Sequence, residues 1–185
     1  MGTFRNKKLN IPSIALASMT TAIMGYVVCL FARETGLESL SFAFWINWIL
    51  MLWAYLIHRT GAVNFPQGYF EIRPFEKEIY CLLGVRYYQR LLRRISIFNP
   101  QLHLGGGRGD LVRLEKAMRG AEQAHAMIFV IVSVFMLYAL FRGWWATAFW
   151  YFLFNMLFNG YPVMVQRFNR SRTNRLVGMM HDFTR

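Results

Sequence analysis

Four long apolar intervals separated by charged ones set the pattern of this chain. Residues 11–32 and 40–57 carry no charge, 124–141 contain His125 but no Asp, Glu, Lys or Arg, and 144–165 are again uncharged. At 1.5 Å of rise per residue, a helix of about 20 residues matches the roughly 30 Å hydrocarbon core of a bilayer. Only helices satisfy their own backbone in lipid at these lengths. The pattern predicts an all-α integral membrane protein with four transmembrane helices, a single membrane domain over 1–185. The two 18-residue intervals are short for a span, so their basic flanks are expected to snorkel. The first interval is too long for the apolar region of a signal peptide and reads as a permanent anchor. Asn6 stands where N-myristoylation would need Ser or Thr, which excludes that modification.

The polar interval 58–123 is read as a cytoplasmic interfacial segment, and 166–185 as a basic C-terminal tail. Within the segment, residues 75–95 place Ile79, Leu83, Tyr87, Leu91 and Ile95 four apart, with Arg86, Arg90, Arg93 and Arg94 around that stripe. Such spacing predicts one basic amphipathic helix at the membrane surface, either a plain interfacial helix or a docking surface for anionic lipid or an acidic donor. The glycine run at 104–109 fits neither a dinucleotide loop nor a P-loop, and His103 before it has no GxSxG partner motif. It reads as a flexible linker.

Composition sharpens the class. The 185 residues are 56% hydrophobic and only 16% charged, yet the net charge is +12. Bulk apolarity with strong basicity excludes a disordered tail and a typical cytosolic enzyme, and leaves little room for a polar surface that would bind nucleic acid. Cys29 and Cys81 make neither a disulfide framework nor a metal pattern. Lys and Arg are distributed unevenly: three precede residue 11, eleven lie within 58–123 and five follow 165, against Arg33 and Arg142 alone in the two short loops. The positive-inside rule then places both termini and the middle segment in the cytoplasm.

Two clusters carry candidate chemistry. Glu122 and His125 are three apart, so on a helix they are neighbours, and a carboxylate beside an imidazole raises its basicity. On an ideal helix Asn155, Asn159, Gln166, Asn169 and Arg170 share one direction, with Pro162 kinking between them. A polar stripe in an apolar span faces protein or a wet cavity. Arg142-Gly143 is short enough to make the last two spans antiparallel neighbours. Folding about that turn sets His125 beside Asn159, and Arg119 level with Gln166. A His–Glu base with amide and guanidinium donors suits acyl transfer, with phosphoryl and glycosyl transfer also open. Clustered arginines suit a phosphate-bearing donor. A single E-x-x-H without further carboxylates gives no metal site.

At these residues the chain resembles the glycosyl-4,4'-diaponeurosporenoate acyltransferase family of bacterial carotenoid biosynthesis. The likeness rests on Arg119-x-Ala121-Glu122-x-x-His125, Asn159, and Val165-Gln166-Arg167-Phe168-Asn169-Arg170-x-Arg172, with Phe75-Glu76-Lys77 fitting the same pattern. It covers roughly 70–176. The resemblance implies a fatty acyl transfer to a sugar hydroxyl of a glycosylated carotenoid acid at the bacterial cytoplasmic (inner) membrane. It makes His125 and Glu122 the catalytic candidates, and Asn159, Gln166, Arg167, Asn169 and Arg170 site residues, to which Arg119 is added from the His125 cluster, Asn155 from the stripe and Arg172 from the basic tail. In this reading His125 is the general base, Glu122 orients it, Asn159 and Gln166 steady the oxyanion, and Arg167, Arg170 and Arg172 hold the donor. Its expected partners are the bilayer, a lipid or glycosylated-carotenoid acceptor, and acyl-CoA or acyl-carrier protein as co-substrate, with no tightly bound cofactor. The other readings are a non-catalytic membrane scaffold and a membrane lipid hydrolase.

Overall fold

The computed structural model describes residues 11–73, 75–94 and 108–182, with side chains through residue 173 except at 77, 93, 94 and 108. The basic residues before 11 and the glycines at 105–107 lie outside the described residues. Every regular element among the described residues is helical: α1 (Ile11–Thr35), α2 (Leu40–Thr60), a 3₁₀ turn (Gln67–Phe70), α3 (Glu76–Leu82), α4 (Val85–Arg94), α5 (Arg108–Phe141), α6 (Trp145–Asn155), a π segment (Met156–Gly160) and α7 (Tyr161–Asp182). They divide into two compact units, Met1–Asn64 with Met127–Met156, and Phe65–Ala126 with Leu157–Arg185.

In the first unit α2 packs against α1 and α6. Its buried residues Phe42, Ala43, Ile46, Asn47, Leu50, Ala54 and Ile57 follow the helical period, so one stripe faces protein. Phe42 is fully buried, stacked on Phe31 at 5.6 Å and tilted on Phe135 at 5.7 Å. Ser39 caps α2 by accepting from the Phe42 N–H at 3.0 Å. Thr147 and Tyr151 of α6 donate to the Glu38 and Leu37 carbonyls, at 2.6 and 2.9 Å. These bonds satisfy loop carbonyls that would otherwise lie unpaired beside an apolar helix. Helix α1 buries only Met24 and exposes Ile11, Ile14, Met19, Ile23 and Tyr26, as a lipid-facing helix does.

Among the described residues three helices, α1, α2 and α5, are long and apolar enough to cross a membrane. The fourth expected span, 144–165, is not one α-helix. Helix α6 ends after 11 residues, about 16 Å, and the chain continues through the π segment into α7. The expected turn is present: α5 ends in a Schellman motif, with Gly143 at φ 73° and the Trp144 and Gly143 N–H groups bonded to the Ala139 and Leu140 carbonyls.

In the second unit the single helix expected over 75–95 is two. Gly84 adopts φ 71°, closing α3 with its N–H on the Cys81 carbonyl at 3.2 Å, and its own carbonyl then starts α4 by accepting from Tyr87 and Tyr88. Val85, Val165 and Phe168 form the core joining α4 to α7, with Tyr80, Tyr88, Tyr161 and Met164 packed around it.

Candidate active site

Pro162 determines the backbone around the site. It has no N–H to offer the carbonyls four and five residues back, Phe158 and Leu157, and its ring crowds the preceding turn. The chain widens there into the π segment, and such turns concentrate at functional sites. Both carbonyls meet side chains of the same unit. The Tyr88 hydroxyl donates to Leu157 O at 2.7 Å, and the His125 imidazole meets the Phe158 carbonyl. His125 Nδ1 also lies 3.4 Å from Asn159 Oδ1, and Asn159 is fully buried. The expected meeting of His125 and Asn159 is therefore present, made by a wide turn in place of a regular helix.

Glu122 is placed differently from the expectation. It is wholly buried, and its two oxygens engage arginines: Oε1 accepts from Arg167 Nη1 at 2.7 Å and Oε2 from Arg170 Nη1. The carboxylate that was to orient His125 is bonded to two guanidinium groups, which attract it far more than a neutral imidazole does. Asn159 takes the place beside the ring.

Around Glu122 lies a balanced charge network. Glu76 binds Arg167 side-on, Oε2 to Nε and Oε1 to Nη2, both at 2.8 Å. Arg167 gives its remaining hydrogens to the Tyr69 and Glu71 carbonyls, each at 2.8 Å. All five guanidinium donors thus have acceptors. Arg170 reaches the Phe70 carbonyl and lies 3.6 Å from Glu115, which in turn pairs with Arg119. The guanidinium groups of Arg119 and Arg170 both lie over the Phe70 ring, at 5.1 and 5.3 Å from its centre. Three acids and three arginines neutralise one another, as buried charge requires.

Burial disfavours the Arg167 charge, but the hydrogen bonds to Glu76 and Glu122 outweigh it and push its pKa above the usual range. Burial likewise raises the Glu76 carboxyl, yet bonds from Arg167 and Tyr80 overcome it and hold its pKa below the ordinary 4.5. Tyr80 donates to Glu76 at 2.7 Å, and its phenol pKa is raised by burial and by that bond. An open cleft of about 440 Å³ lies against this pair, with Tyr69, Arg73 and Phe75 on its walls.

The other expected residues separate. Asn169 Oδ1 accepts from Gln89 at 2.8 Å, Gln166 is half-buried on α7, and Arg172 is exposed with its guanidinium 5.9 Å over Phe168. Asn155 belongs to the first unit, where it donates to the Phe129 carbonyl at 2.9 Å and to Ser133 at 3.2 Å. Arg167 and Arg170, expected to grip the donor, are bound to protein acceptors instead. Sequence reasoning missed Glu115, Tyr69 and Tyr88, and noted Glu76 only as part of a motif. Among the described residues no three His, Cys, Asp or Glu side chains converge as a metal site.

The sequence model of the glycosyl-4,4'-diaponeurosporenoate acyltransferase family matches residues 66–179. The chain belongs to this family. The matched range takes in the whole charge network, His125, Asn159 and the π segment. Membership indicates an acyltransferase in a carotenoid pathway, and the apolar helices fit a membrane protein. No curated protein and no solved structure matches the chain.

Proposed function

We propose that this protein transfers a fatty acyl group from a thioester donor to a sugar hydroxyl of a glycosylated carotenoid, at the cytoplasmic face of a bacterial inner membrane. His125 takes the hydroxyl proton as the oxygen attacks the thioester carbonyl. The carbonyl electron pair moves onto oxygen, then returns as the C–S bond breaks. The departing thiolate takes the proton back from the imidazolium, leaving an ester and a free thiol. In the Nδ1–H tautomer, Asn159 Oδ1 accepts that proton and Nε2 carries the basic lone pair. Gln166 steadies the oxyanion. Exposed Arg172 meets the phosphates of acyl-CoA or the acidic face of a carrier protein, while Glu122, Arg167 and Arg170 hold the frame in which His125 sits. The four apolar intervals cross the membrane with both termini cytoplasmic, a reading supported by the lopsided distribution of Lys and Arg.

The observation that carries this reading is the His125–Asn159 contact at the π segment in a chain of this family. Its test is untargeted mass spectrometry of lipid extracts from pigment-producing cells that carry wild type or His125→Ala at equal expression. A glycosylated pigment heavier by one fatty acyl should appear with the wild type, and fall by about 10²–10⁴ in rate with the variant. Equal acylation by both would end the base assignment.

A further inference from the structure

Helix α4 has two faces with different surroundings. At about 100° per residue, Val85, Tyr88, Gln89 and Leu92 fall in one arc of about 100°. Through them α4 is fixed to the rest of its unit: Val85 is fully buried, Tyr88 bonds Leu157 O, and Gln89 bonds Asn169. Tyr88 also stacks on Tyr161 at 4.9 Å, and burial pushes its phenol pKa up to about 12, so it remains a donor at any physiological pH.

The opposite arc holds Arg86, Tyr87, Arg90 and Leu91, all exposed. The apolar surface continues across the Gly84 turn into α3, where Leu82 is 87% exposed and Ile79 and Leu83 are exposed too. Helix α4 contains four arginines and no acid, and among the described residues no carboxylate pairs with Arg86 or Arg90. Leucines at a turn, a tyrosine, and arginines beside them are what a shallow interfacial element presents: alkyl groups below the headgroups, cations level with them. Among the described residues α1, α2 and α5 are long and apolar enough to cross a bilayer, so a lipid surface is at hand.

We propose that the outer face of the α3–α4 pair binds the anionic headgroups of the bilayer and that, through Tyr88, this binding steadies the π segment that carries Asn159. The path is short: headgroup phosphate to Arg86 and Arg90, α4 as one rigid element, Tyr88 to Leu157 O, and Leu157 two residues from Asn159. It does not rest on the acyl-transfer reading, since its test uses no turnover.

The full chain with Cys29→Ser, labelled on exposed Cys81 with an environment-sensitive NBD dye, is placed in nanodiscs of phosphatidylcholine with or without phosphatidylglycerol. The anionic lipid should blue-shift the dye and bring it within reach of shallow spin-labelled lipid quenchers. R86Q/R90Q should remove that dependence, and so should about 0.5 M salt on the unaltered arginines, which screens the attraction without risk to folding. Identical spectra in both lipids would overturn the surface assignment. So would a shift seen only on adding an acidic acyl-carrier protein, which would make the face a protein dock. Hydrogen exchange reads the coupling. Amides of 156–161 should exchange several-fold more slowly in anionic discs for the wild type, and not for Tyr88→Phe. An equal slowing in Tyr88→Phe would overturn it.

Discussion

Glu122 keeps two guanidinium groups company at zero exposure, so its removal leaves buried cations facing one another. Glu122→Ala should therefore destabilise the protein by about 3–5 kcal/mol, the usual cost of breaking a buried pair, read as a large drop in detergent-solubilised Tm. A Tm within a degree or two of wild type would show that the network is slack. Glu76 gives a pH signature. Its folded pKa lies below the ordinary 4.5, so its contribution is complete above that value and is lost as pH falls through the lowered folded one. Melts taken from neutral into the carboxylate range should lose stability faster for wild type than for Glu76→Gln, and parallel curves would refute the pairing. At this scale the chain was partly legible. His125 and Asn159 could be brought together by folding the sequence about Arg142-Gly143. Glu122 could not be assigned, because its i,i+3 neighbour is local while the arginines that win it lie 45 and 48 residues on. The carbonyls that Arg167 and Arg170 clamp are more distant still, 96–100 residues back.

Among the elements, α1 and α2 follow directly from uncharged runs and end close to where those runs end. The misreadings fall at Gly84 and Pro162, where one residue changes the local backbone. Four-residue spacing continues through Gly84, so periodicity alone extended a helix that a left-handed glycine divides. Pro162 signalled a kink, and the protein meets it with a π segment, because Tyr88 and His125 are there to receive the freed carbonyls. Pro162→Ala restores an N–H that can close a regular α turn. The expected outcome is a shift of Asn159 away from His125, with pigment acylation falling at least tenfold while Tm holds or rises, because Ala favours a helix interior. Full acylation in Pro162→Ala would mean that the π geometry is incidental.

For the molecule as a whole, sidedness is the property most exposed to test. In a Cys29→Ser, Cys81→Ser background, a membrane-impermeant maleimide applied to intact cells should label Glu34→Cys and leave Lys116→Cys untouched, both side chains being exposed. The reverse labelling would invert the molecule. The expected orientation rests on charge distribution, which needs only counting. The division into two units did not show there, since α5 contributes to both without a break in its pattern. Finally, Pro162, Tyr88 and His125 answer one another through two carbonyls, and this makes them a unit of inheritance. A relative that trades the proline for an ordinary residue regains the missing N–H and has less need of the tyrosine hydroxyl. Across the family the two positions should therefore vary together, with phenylalanine tolerated at 88 chiefly where 162 is no longer proline.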